Sequence, residues 1–195
     1  TVPKGAVFYP SQLKLKGSRV IYMRKLLFVV LLLTAFLYAE KVSPFQILKW
    51  SKEVETKNDV KPELLIAIAF CESSFRTAVV STSNAVGLFQ FKEIAVEDVS
   101  QRLWKSFDPY NPQEATHAAK YYLSWLMDCF DSLELVLMAW NWGYGNVKQY
   151  LDGGEPDEKV LSFVGKVMVK FAEYNDLFHP EELRFSFDPN SLTAI

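Results

Sequence analysis

Apolar residues recur at intervals of three and four between positions 115 and 130, and this spacing constrains the segment to an α-helix with one buried stripe. The stripe consists of Ala115, Ala118, Ala119, Tyr122, Leu123, Leu126 and Phe130. The preceding Asn111-Pro112-Gln113-Glu114 supplies a cap residue, a proline at the first helical position and an acid at the third. The sequence therefore predicts a helix that begins at Pro112.

Helical periodicity also dominates the rest of the chain, and no convincing run of alternating strand residues occurs. Helices are predicted over 45–55, 62–73, 87–99, 132–142 and 157–174. The Ser- and Asn-rich stretch 77–85 is typical of a loop, and the glycine-containing stretches 143–145 and 152–154 are typical of turns. We predict an all-α fold with a single domain over roughly residues 43–178, followed by a tail over 179–195.

The overall composition fits one globular domain. The 195 residues are 50% hydrophobic, which is enough for a sizeable core with short extensions. The formal net charge of −2 gives no electrostatic reason to expect a nucleic-acid partner. Cys71 and Cys129 could form one disulfide or remain two buried free thiols, and the second interpretation is preferred. Only two histidines and no CxxC pair are present, which disfavours a zinc site.

The N-terminal region has the pattern of a targeting segment. No acidic residue precedes Glu40, and the basic Met23-Arg24-Lys25 is followed by the uncharged run 26–39, which ends at the small residue Ala39. Because this run is shorter than the roughly 20 residues of a membrane span, residues 23–39 fit a secretory signal peptide better than an N-terminal anchor. Residues 1–22 are interpreted as an extension or a start-site artefact. We therefore expect the protein to be exported to the periplasm or cell envelope. If the apolar segment is not cleaved, we expect it to hold the protein at the membrane.

Glu72 is the first candidate for chemistry. It lies near the end of the apolar helix 62–73, where loss of solvation is expected to raise the pKa of its carboxyl. A carboxyl that stays protonated near neutral pH can donate a proton to a glycosidic oxygen. Ser81 and Ser83 follow in the polar loop, and Gln90 is a polar residue in an apolar segment. Taken singly, each of these residues is more often a surface or turn residue.

Four segments together resemble the lytic murein transglycosylase family. The family pattern E-S-x-F…S-x-x-x-A-x-G-L-M-Q is similar to residues 72–75, Ser81 and residues 85–90. The spacing from Glu72 to Ser81 to Gln90 matches the pattern without a gap. The family pattern D-P-x-x-N-I-x-x-G-x-x-Y-L is similar to residues 111–123. Its pattern A-A-Y-N-A-G-x-G-x-V is similar to residues 138–147, and its pattern Y-V-x-K-V is similar to residues 163–167. The resemblance covers roughly residues 60–170 and is greatest to the membrane-bound, SLT-type members. Because the motifs occur in the family order, chance similarity is improbable.

The resemblance implies a lysozyme-like (goose-type or SLT-type) fold with a groove for peptidoglycan glycan strands. It implies that Glu72 is the single catalytic acid and base, and that the groove is lined by Ser81, Ser83, Gln90, Trp140, Asn141 and Tyr144. The implied reaction cleaves the MurNAc–GlcNAc β-1,4 bond and leaves a 1,6-anhydroMurNAc end. It requires neither a metal nor a cofactor.

The resemblance leaves some questions open. Trp140 and Phe163 replace tyrosines of the family patterns, so the hydroxyl that the family often places near the catalytic Glu could come from Tyr122 or Tyr144. Because Trp140 and Trp142 are two residues apart on a helix, one of them is expected to face the groove. Glu93, Glu97 and Asp98 are expected on a solvated helix, which leaves no second catalytic acid. The alternatives are a hydrolytic muramidase on the same fold and an inactive wall-binding protein.

Overall fold

A computed structural model describes residues 21–30 and 41–180 of the chain. The chain divides into two compact units, Thr1–Glu40 and Lys41–Ile195. In the first unit, residues 21–30 form a helix with exposed side chains, here called α1. Within the described residues, no helix combines the length and apolar character needed to cross a membrane. Most of the predicted extension 1–22 and of the tail 179–195 lies outside the described residues. Of the predicted signal segment, residues 23–30 are described and residues 31–39, with the cleavage point, are not.

Helices account for the regular structure of the second unit as far as it is described. They are α2 (Pro44–Ser51), α3 (Pro62–Ser73), α4 (Glu93–Leu103), α5 (Pro112–Cys129), α6 (Leu133–Trp142), α7 (Tyr144–Leu151) and α8 (Glu158–Phe178). Between residues 41 and 180, extended pairing is limited to isolated bridges, such as Val80 with Val86 and Val86 with Phe91. The predicted all-α class is confirmed.

Side-chain caps determine where several of these helices begin. The Asn111 side chain accepts hydrogen bonds from the backbone N–H groups of Gln113 and Glu114, at 3.1 and 3.3 Å, so α5 begins at Pro112 as predicted. The side chains of Ser43, Ser132 and Asp157 cap the starts of α2, α6 and α8 in the same way. These bonds satisfy backbone donors that have no partner within the helix.

Two helix predictions were wrong in ways that matter for the site. The helix predicted from Gly87 begins only at Glu93, because Gly87 and Gln90 have φ values of 76° and 51°, which a right-handed helix does not contain. The helix α7 was not predicted at all, because the glycines at its start indicate a turn. Gly143, with φ 100°, ends α6, and α7 follows directly at Tyr144.

The helix α3 lies at the centre of the core. It packs most extensively against α8 and also contacts α2 and α5, while α6 packs between α5 and α8. Residues 63–69 of α3 are all buried, as expected for a helix surrounded by other elements. Each buried Leu or Ile side chain contributes roughly 1.5–3 kcal/mol. The central helix therefore provides a rigid base for the carboxyl of Glu72 in its last turn.

The predicted stripe of α5 is buried except for Tyr122, which is half-buried. Cys71 and Cys129 are both free thiols in the structure, as preferred from the sequence, although each is half-buried rather than buried. Burial raises the pKa of both thiols above the ordinary value, so they remain protonated at neutral pH.

Candidate active site

Glu72 lies in the last turn of α3, where the helix ends abruptly. Ser74 and Phe75 both adopt left-handed backbone conformations, with φ values of 53° and 68°, and the Ser74 N–H donates to the Phe70 carbonyl at 2.9 Å. Phe75 packs edge-on against Phe70, with ring centroids 5.6 Å apart. The helix therefore ends at Ser73, one residue after Glu72, and the carboxyl is presented at the end of the helix.

The pKa of Glu72 is shifted toward neutrality. Burial of the carboxyl raises its pKa from 4.5 to about 7, although the hydrogen bond from Trp140 and the charge of Lys92 act in the opposite direction. The desolvation of the carboxyl is the largest of these effects. Near neutral pH both the acid and the carboxylate are populated, so this side chain can donate a proton and then accept one.

Trp140 supplies a hydrogen bond to Glu72. Its indole Nε1 donates to Glu72 Oε1 at 3.0 Å. The indole is held by aromatic neighbours, with ring-centroid distances of 6.2 Å to Phe89, 5.5 Å to Phe91 and 5.8 Å to Tyr122. Among the described hydrogen bonds, the one to Glu72 comes from Trp140 and not from a tyrosine. Trp140, which replaces a tyrosine of the family pattern, therefore itself provides the hydrogen-bond donor to Glu72.

The loop with Ser81 and Ser83 forms a tight turn that lines the same cleft as Glu72. Ser81 Oγ lies 3.1 Å from Ser83 Oγ and accepts a hydrogen bond from the Ala85 N–H at 3.0 Å. The backbone N–H of Ser81 donates to the Ala85 carbonyl at 2.8 Å. These bonds fix the two hydroxyls in the wall of the cleft that contains Glu72.

Gln90 stabilises the same loop. Its side-chain Nε2 donates to the carbonyls of Val79 and Gly87, at 3.1 and 2.9 Å. Gly87 allows a close approach that no other residue could make, because a Cβ there would lie 2.0 Å from the Pro109 carbonyl oxygen. Gln90 thus holds the loop in place while it also lines the cleft.

A single cleft of about 920 Å³ brings together all of the residues that the sequence suggested for the site. They are Glu72, Ser81, Ser83, Gln90, Trp140, Asn141 and Tyr144. Trp142 also lines the cleft, so both of the neighbouring tryptophans face it, where the sequence led us to expect one of them there. Both face it because α6 ends at Trp142 and the chain turns away at Gly143.

Asp98, Arg102 and Trp125 also line the cleft, although none of them was predicted as a site residue. Asp98 was expected on a solvated face, but it is half-buried and lines the cleft, whereas Glu93 and Glu97 are exposed as expected. Arg102 donates to both carboxylate oxygens of Asp98, at 3.0 and 2.9 Å, and its guanidinium lies 3.6 Å from the ring centroid of Trp125. The four-residue spacing of Asp98 and Arg102 on one helix was the available signal.

The cleft contains more basic than acidic side chains. Lys92, Arg102 and Lys159 line it together with the acids Glu72 and Asp98. Lys92 and Lys159 are exposed, and Lys92 is close enough to lower the pKa of Glu72. Within residues 21–30 and 41–180, no cluster of three or more His, Cys, Asp or Glu residues could hold a metal ion. The chemical groups of the site are therefore the Glu72 carboxyl of shifted pKa, the Asp98 carboxyl, hydroxyls, amides, cations and aromatic rings.

Comparisons with known proteins agree with this arrangement. The family model described as "Transglycosylase SLT domain" matches residues 49–160. An inactive mutant of the lytic transglycosylase Slt from Pseudomonas aeruginosa is similar in structure, with TM-score 0.59 and 19% identity over 68% of this chain. The 70-kDa soluble lytic transglycosylase from Escherichia coli gives TM-score 0.60 and 19% identity over 67% of this chain.

A third similar structure is a complex of the 70-kDa soluble lytic transglycosylase with bulgecin A, with TM-score 0.59 and 20% identity over 67% of this chain. The aligned region spans only 24% of the length of each of these three proteins. The likeness establishes a shared fold and confirms the predicted lysozyme-like, SLT-type architecture.

Proposed function

The chain belongs to the transglycosylase SLT domain family, and from this premise we propose that it cleaves the MurNAc–GlcNAc β-1,4 bond of peptidoglycan glycan strands. The observation that carries the proposal is the carboxyl of Glu72, which has a pKa of about 7 and lies in a cleft lined by sugar-binding types of side chain. Aromatic faces, hydroxyls and amides are the groups that contact a pyranose ring and its substituents.

In the first step, protonated Glu72 donates its proton to the glycosidic oxygen. The bond between this oxygen and C1 of MurNAc breaks, the GlcNAc hydroxyl leaves, and positive charge develops at C1 and the ring oxygen. Glu72 becomes a carboxylate, which the Trp140 N–H stabilises through the 3.0 Å hydrogen bond. A pKa of about 7 keeps the acid form populated at neutral pH.

In the second step, the Glu72 carboxylate accepts the proton of the C6 hydroxyl of the same MurNAc. The C6 oxygen attacks C1, and the product carries a 1,6-anhydro ring at its end. Because the substrate provides its own nucleophile, one carboxyl serves as both acid and base. Glu72 gives up one proton in the first step and gains one in the second, so it ends the reaction protonated and ready for another turnover.

The remaining predicted residues are proposed to bind the glycan strand. Ser81 and Ser83 contribute hydroxyls to the cleft that contains Glu72, and Asn141 and Gln90 contribute amides to it. The tyrosine ring of Tyr144 offers an apolar face and a hydroxyl. The excess of basic side chains favours a substrate with carboxylate substituents, as peptidoglycan has.

The proposed substrate places the protein outside the cytoplasm. We therefore propose that it acts in the periplasm or cell envelope, with residues 23–39 as a signal peptide or N-terminal anchor and 43–178 as the catalytic domain. The described residues 23–30 of this segment are helical, as the apolar part of an export signal or an anchor is expected to be.

Hydrolysis by a muramidase mechanism is the second candidate, because Asp98 brings another carboxylate to the cleft. A retaining or inverting glycosidase uses two carboxyl groups. Asp98, however, is engaged on both oxygens by Arg102, which disfavours a role as nucleophile or base. The inactive wall-binding alternative is weakened because Trp140 supplies the donor to Glu72 that the missing tyrosines left in question.

Digestion of purified sacculi tests the proposal. We expect soluble fragments whose mass corresponds to anhydro ends, one water lighter than the reducing ends that a muramidase produces. Glu72→Gln should reduce the rate by about 10²–10⁴-fold. Glu93→Gln is the matched control, because Glu93 is an exposed acid of α4 outside the cleft lining. A wild-type protein as inactive as Glu72→Gln would contradict the enzyme proposal.

A further inference from the structure

Two side chains that depart from the family pattern are in contact with each other, and one of them is bonded to Glu72. Trp140 lies where the pattern A-A-Y-N-A-G-x-G-x-V has tyrosine, and Phe89 lies where G-L-M-Q has methionine. The Phe89 ring meets the Trp140 indole edge-on, with ring centroids 6.2 Å apart and an interplanar angle of 71°. Phe89 is only 1% exposed. The two replacements therefore pack together inside the protein, although they come from separate segments of the chain.

The position of an indole N–H depends on the rotation of its ring, whereas that of a tyrosine hydroxyl does not. The hydroxyl lies on the axis of the Cβ–Cγ bond, so it keeps its place when the ring turns about this bond. The indole Nε1 lies off this axis, and the χ2 angle of aromatic side chains is only loosely restricted. Because a hydrogen bond weakens steeply as it departs from linearity, the 3.0 Å bond from Trp140 Nε1 to Glu72 Oε1 requires a fixed ring.

Phe91 adds a second phenyl ring against the indole. Its centroid lies 5.5 Å from that of Trp140, and Phe107 packs edge-on against Phe91 at 5.2 Å. Two backbone hydrogen bonds with Val86, each 3.0 Å long, fix Phe91 in place. A phenyl ring is flat and rigid, whereas methionine has three rotatable bonds and adapts its shape to its surroundings. Phenylalanine at position 89 therefore restrains the neighbouring indole more firmly than methionine would.

We propose that Phe89 and Phe91 are positioning residues, which fix the rotation of the Trp140 indole so that its N–H points at Glu72. Both act through Trp140 and not on the reacting atoms. The inference deepens the proposed function and rests on it, because the bond contributes to cleavage only if Glu72 is the acid and base. The rigid ring at position 89 thus accompanies the exchange of an on-axis hydroxyl for an off-axis N–H.

The proposal makes the effect of position 89 depend on position 140. In the presence of Trp140, Phe89→Met should loosen the indole and weaken the bond that lowers the pKa of Glu72. This pKa should then rise by about half a pH unit, less than for complete loss of the bond. In the presence of Trp140→Tyr, the donor lies on the rotation axis of its ring, so Phe89→Met should leave the pKa of Glu72 unchanged.

An NMR titration of the Glu72 side-chain carboxyl carbon tests this dependence without turnover. The four full-length proteins are wild type, Phe89→Met, Trp140→Tyr and the double variant, and the Glu72 signal is identified by its absence in Glu72→Gln. We expect the titration midpoint to rise in Phe89→Met and to be the same in Trp140→Tyr and the double variant. An unmoved midpoint in Phe89→Met would overturn the proposal. So would an equal rise when Phe89→Met is added to Trp140→Tyr.

The charged and titratable groups around Glu72 are the same in all four proteins. Lys92, which precedes α4, lowers the pKa of Glu72, and Cys71 is the neighbour of Glu72 on α3. The other charged side chains of the cleft, and those of α8 that act on Cys71, are Asp98, Arg102, Lys159, Lys166 and Lys170. A change in the solvation of Glu72 would appear with either residue at position 140. A rise that requires Trp140 therefore reports its hydrogen bond.

Phe171→Met is the matched control, because Phe171 is a half-buried phenylalanine of α8 that does not line the cleft. Its midpoint should stay at the wild-type value. The same spectra show whether each variant is folded. If Phe89→Met does not fold, Phe107→Leu decides instead, since Phe107 is half-buried and supports Phe91 from outside the cleft lining. Its midpoint should rise in the same direction, and an unmoved midpoint there would overturn the proposal.

The outcome is separable from that of the proposed function. A protein that shows the dependence of position 89 on position 140 but releases nothing from sacculi retains the positioning of the indole and loses the enzyme proposal. A protein that cleaves sacculi without this dependence retains the enzyme proposal and loses the positioning role of Phe89 and Phe91.

Discussion

The indole Nε1 of Trp140 donates a hydrogen bond to Glu72 Oε1 at 3.0 Å, and so joins the last turns of α6 and α3. An indole N–H donates but cannot accept, whereas a tyrosine hydroxyl does both. The bond therefore favours the carboxylate over the neutral acid. Desolvation favours the neutral acid, and the balance of the two gives the pKa of about 7.

Replacing Trp140 by Phe should move the pH dependence of cleavage. The rate is expected to fall at alkaline pH as Glu72 loses its proton, with a midpoint near its pKa of about 7. Because the hydrogen bond lowers this pKa, its loss should shift the alkaline limb to higher pH by about one pH unit. The measurement is kcat/KM on sacculi between pH 5 and 10.

Trp142→Phe is the control for this shift. Trp142 lines the same cleft, and the hydrogen bond to Glu72 described above comes from Trp140 instead. We expect its alkaline limb to stay at the wild-type position even if the rate falls through weaker substrate binding. An alkaline limb that does not move in Trp140→Phe would contradict the assigned role of the indole N–H.

Glu72→Gln should stabilise the fold at alkaline pH. The carboxyl titrates at 4.5 in the unfolded chain and at about 7 in the folded one, so between these values the folded state retains a proton that the unfolded state has lost. The wild-type free energy of unfolding therefore falls as the pH rises from 4.5 to 7. Because the side chain is half-buried, the gain in Glu72→Gln above pH 7 should be on the order of 1–2 kcal/mol.

Urea unfolding at pH 4 and at pH 8.5 measures this difference. The advantage of Glu72→Gln should be large at pH 8.5 and close to zero at pH 4, where Glu72 is protonated in both states. An advantage of equal size at the two pH values would show that it does not come from the titration of Glu72.

Asp98→Asn distinguishes the single-acid mechanism from a two-carboxylate mechanism. Arg102 occupies both oxygens of Asp98, so the substitution should lower kcat/KM on sacculi by less than about tenfold, through altered positioning of Arg102. A carboxylate that acted as nucleophile or base would cost about 10²–10⁴-fold. A loss as large as that of Glu72→Gln would therefore favour hydrolysis with Asp98 as the second carboxyl.

The sequence predicted those parts of the fold that depend on neighbouring residues. The Asn111 cap and the apolar stripe after it act within one or two turns, and both were located correctly. Glu72 was singled out by its position in a continuous apolar helix together with the resemblance of residues 72–90 to the transglycosylase pattern, and its catalytic role stays a prediction. The bond between Trp140 and Glu72 joins residues 68 positions apart, so only the folded packing of α3 and α6 reveals it.

Asp98 and Arg102 were not predicted as cleft residues for a related reason. The helix that carries Asp98 and Arg102 was predicted to begin at 87, six residues too early, because Gln90 adopts a left-handed conformation with φ 51° that a glutamine rarely shows. Its side-chain bonds to Val79 and Gly87 hold this conformation. These contacts thus overrode the local preference and moved the start of the helix, and of the three acids expected on its solvated face only Asp98 lines the cleft.

Gly87→Ala should destabilise the fold and the site together. The φ of 76° is unfavourable for alanine, and the new Cβ would lie 2.0 Å from the Pro109 carbonyl oxygen, a backbone atom that cannot move aside easily. We expect a loss of at least ~2 kcal/mol and a melting temperature lower by roughly 5–10 °C. The loop of Ser81 and Ser83 should shift as well, because the Gly87 N–H donates to Val79 at 2.9 Å.

Gly165→Ala is the matched control, since Gly165 lies within α8 and a Cβ there would have no neighbour within 4 Å. Alanine favours the helix over glycine by about 0.5–1 kcal/mol, so this variant should melt roughly 2–3 °C higher than wild type. Differential scanning calorimetry of the three proteins gives the comparison. Equal melting temperatures for Gly87→Ala and wild type would mean that the close approach of Gly87 to the Pro109 carbonyl does not constrain the loop.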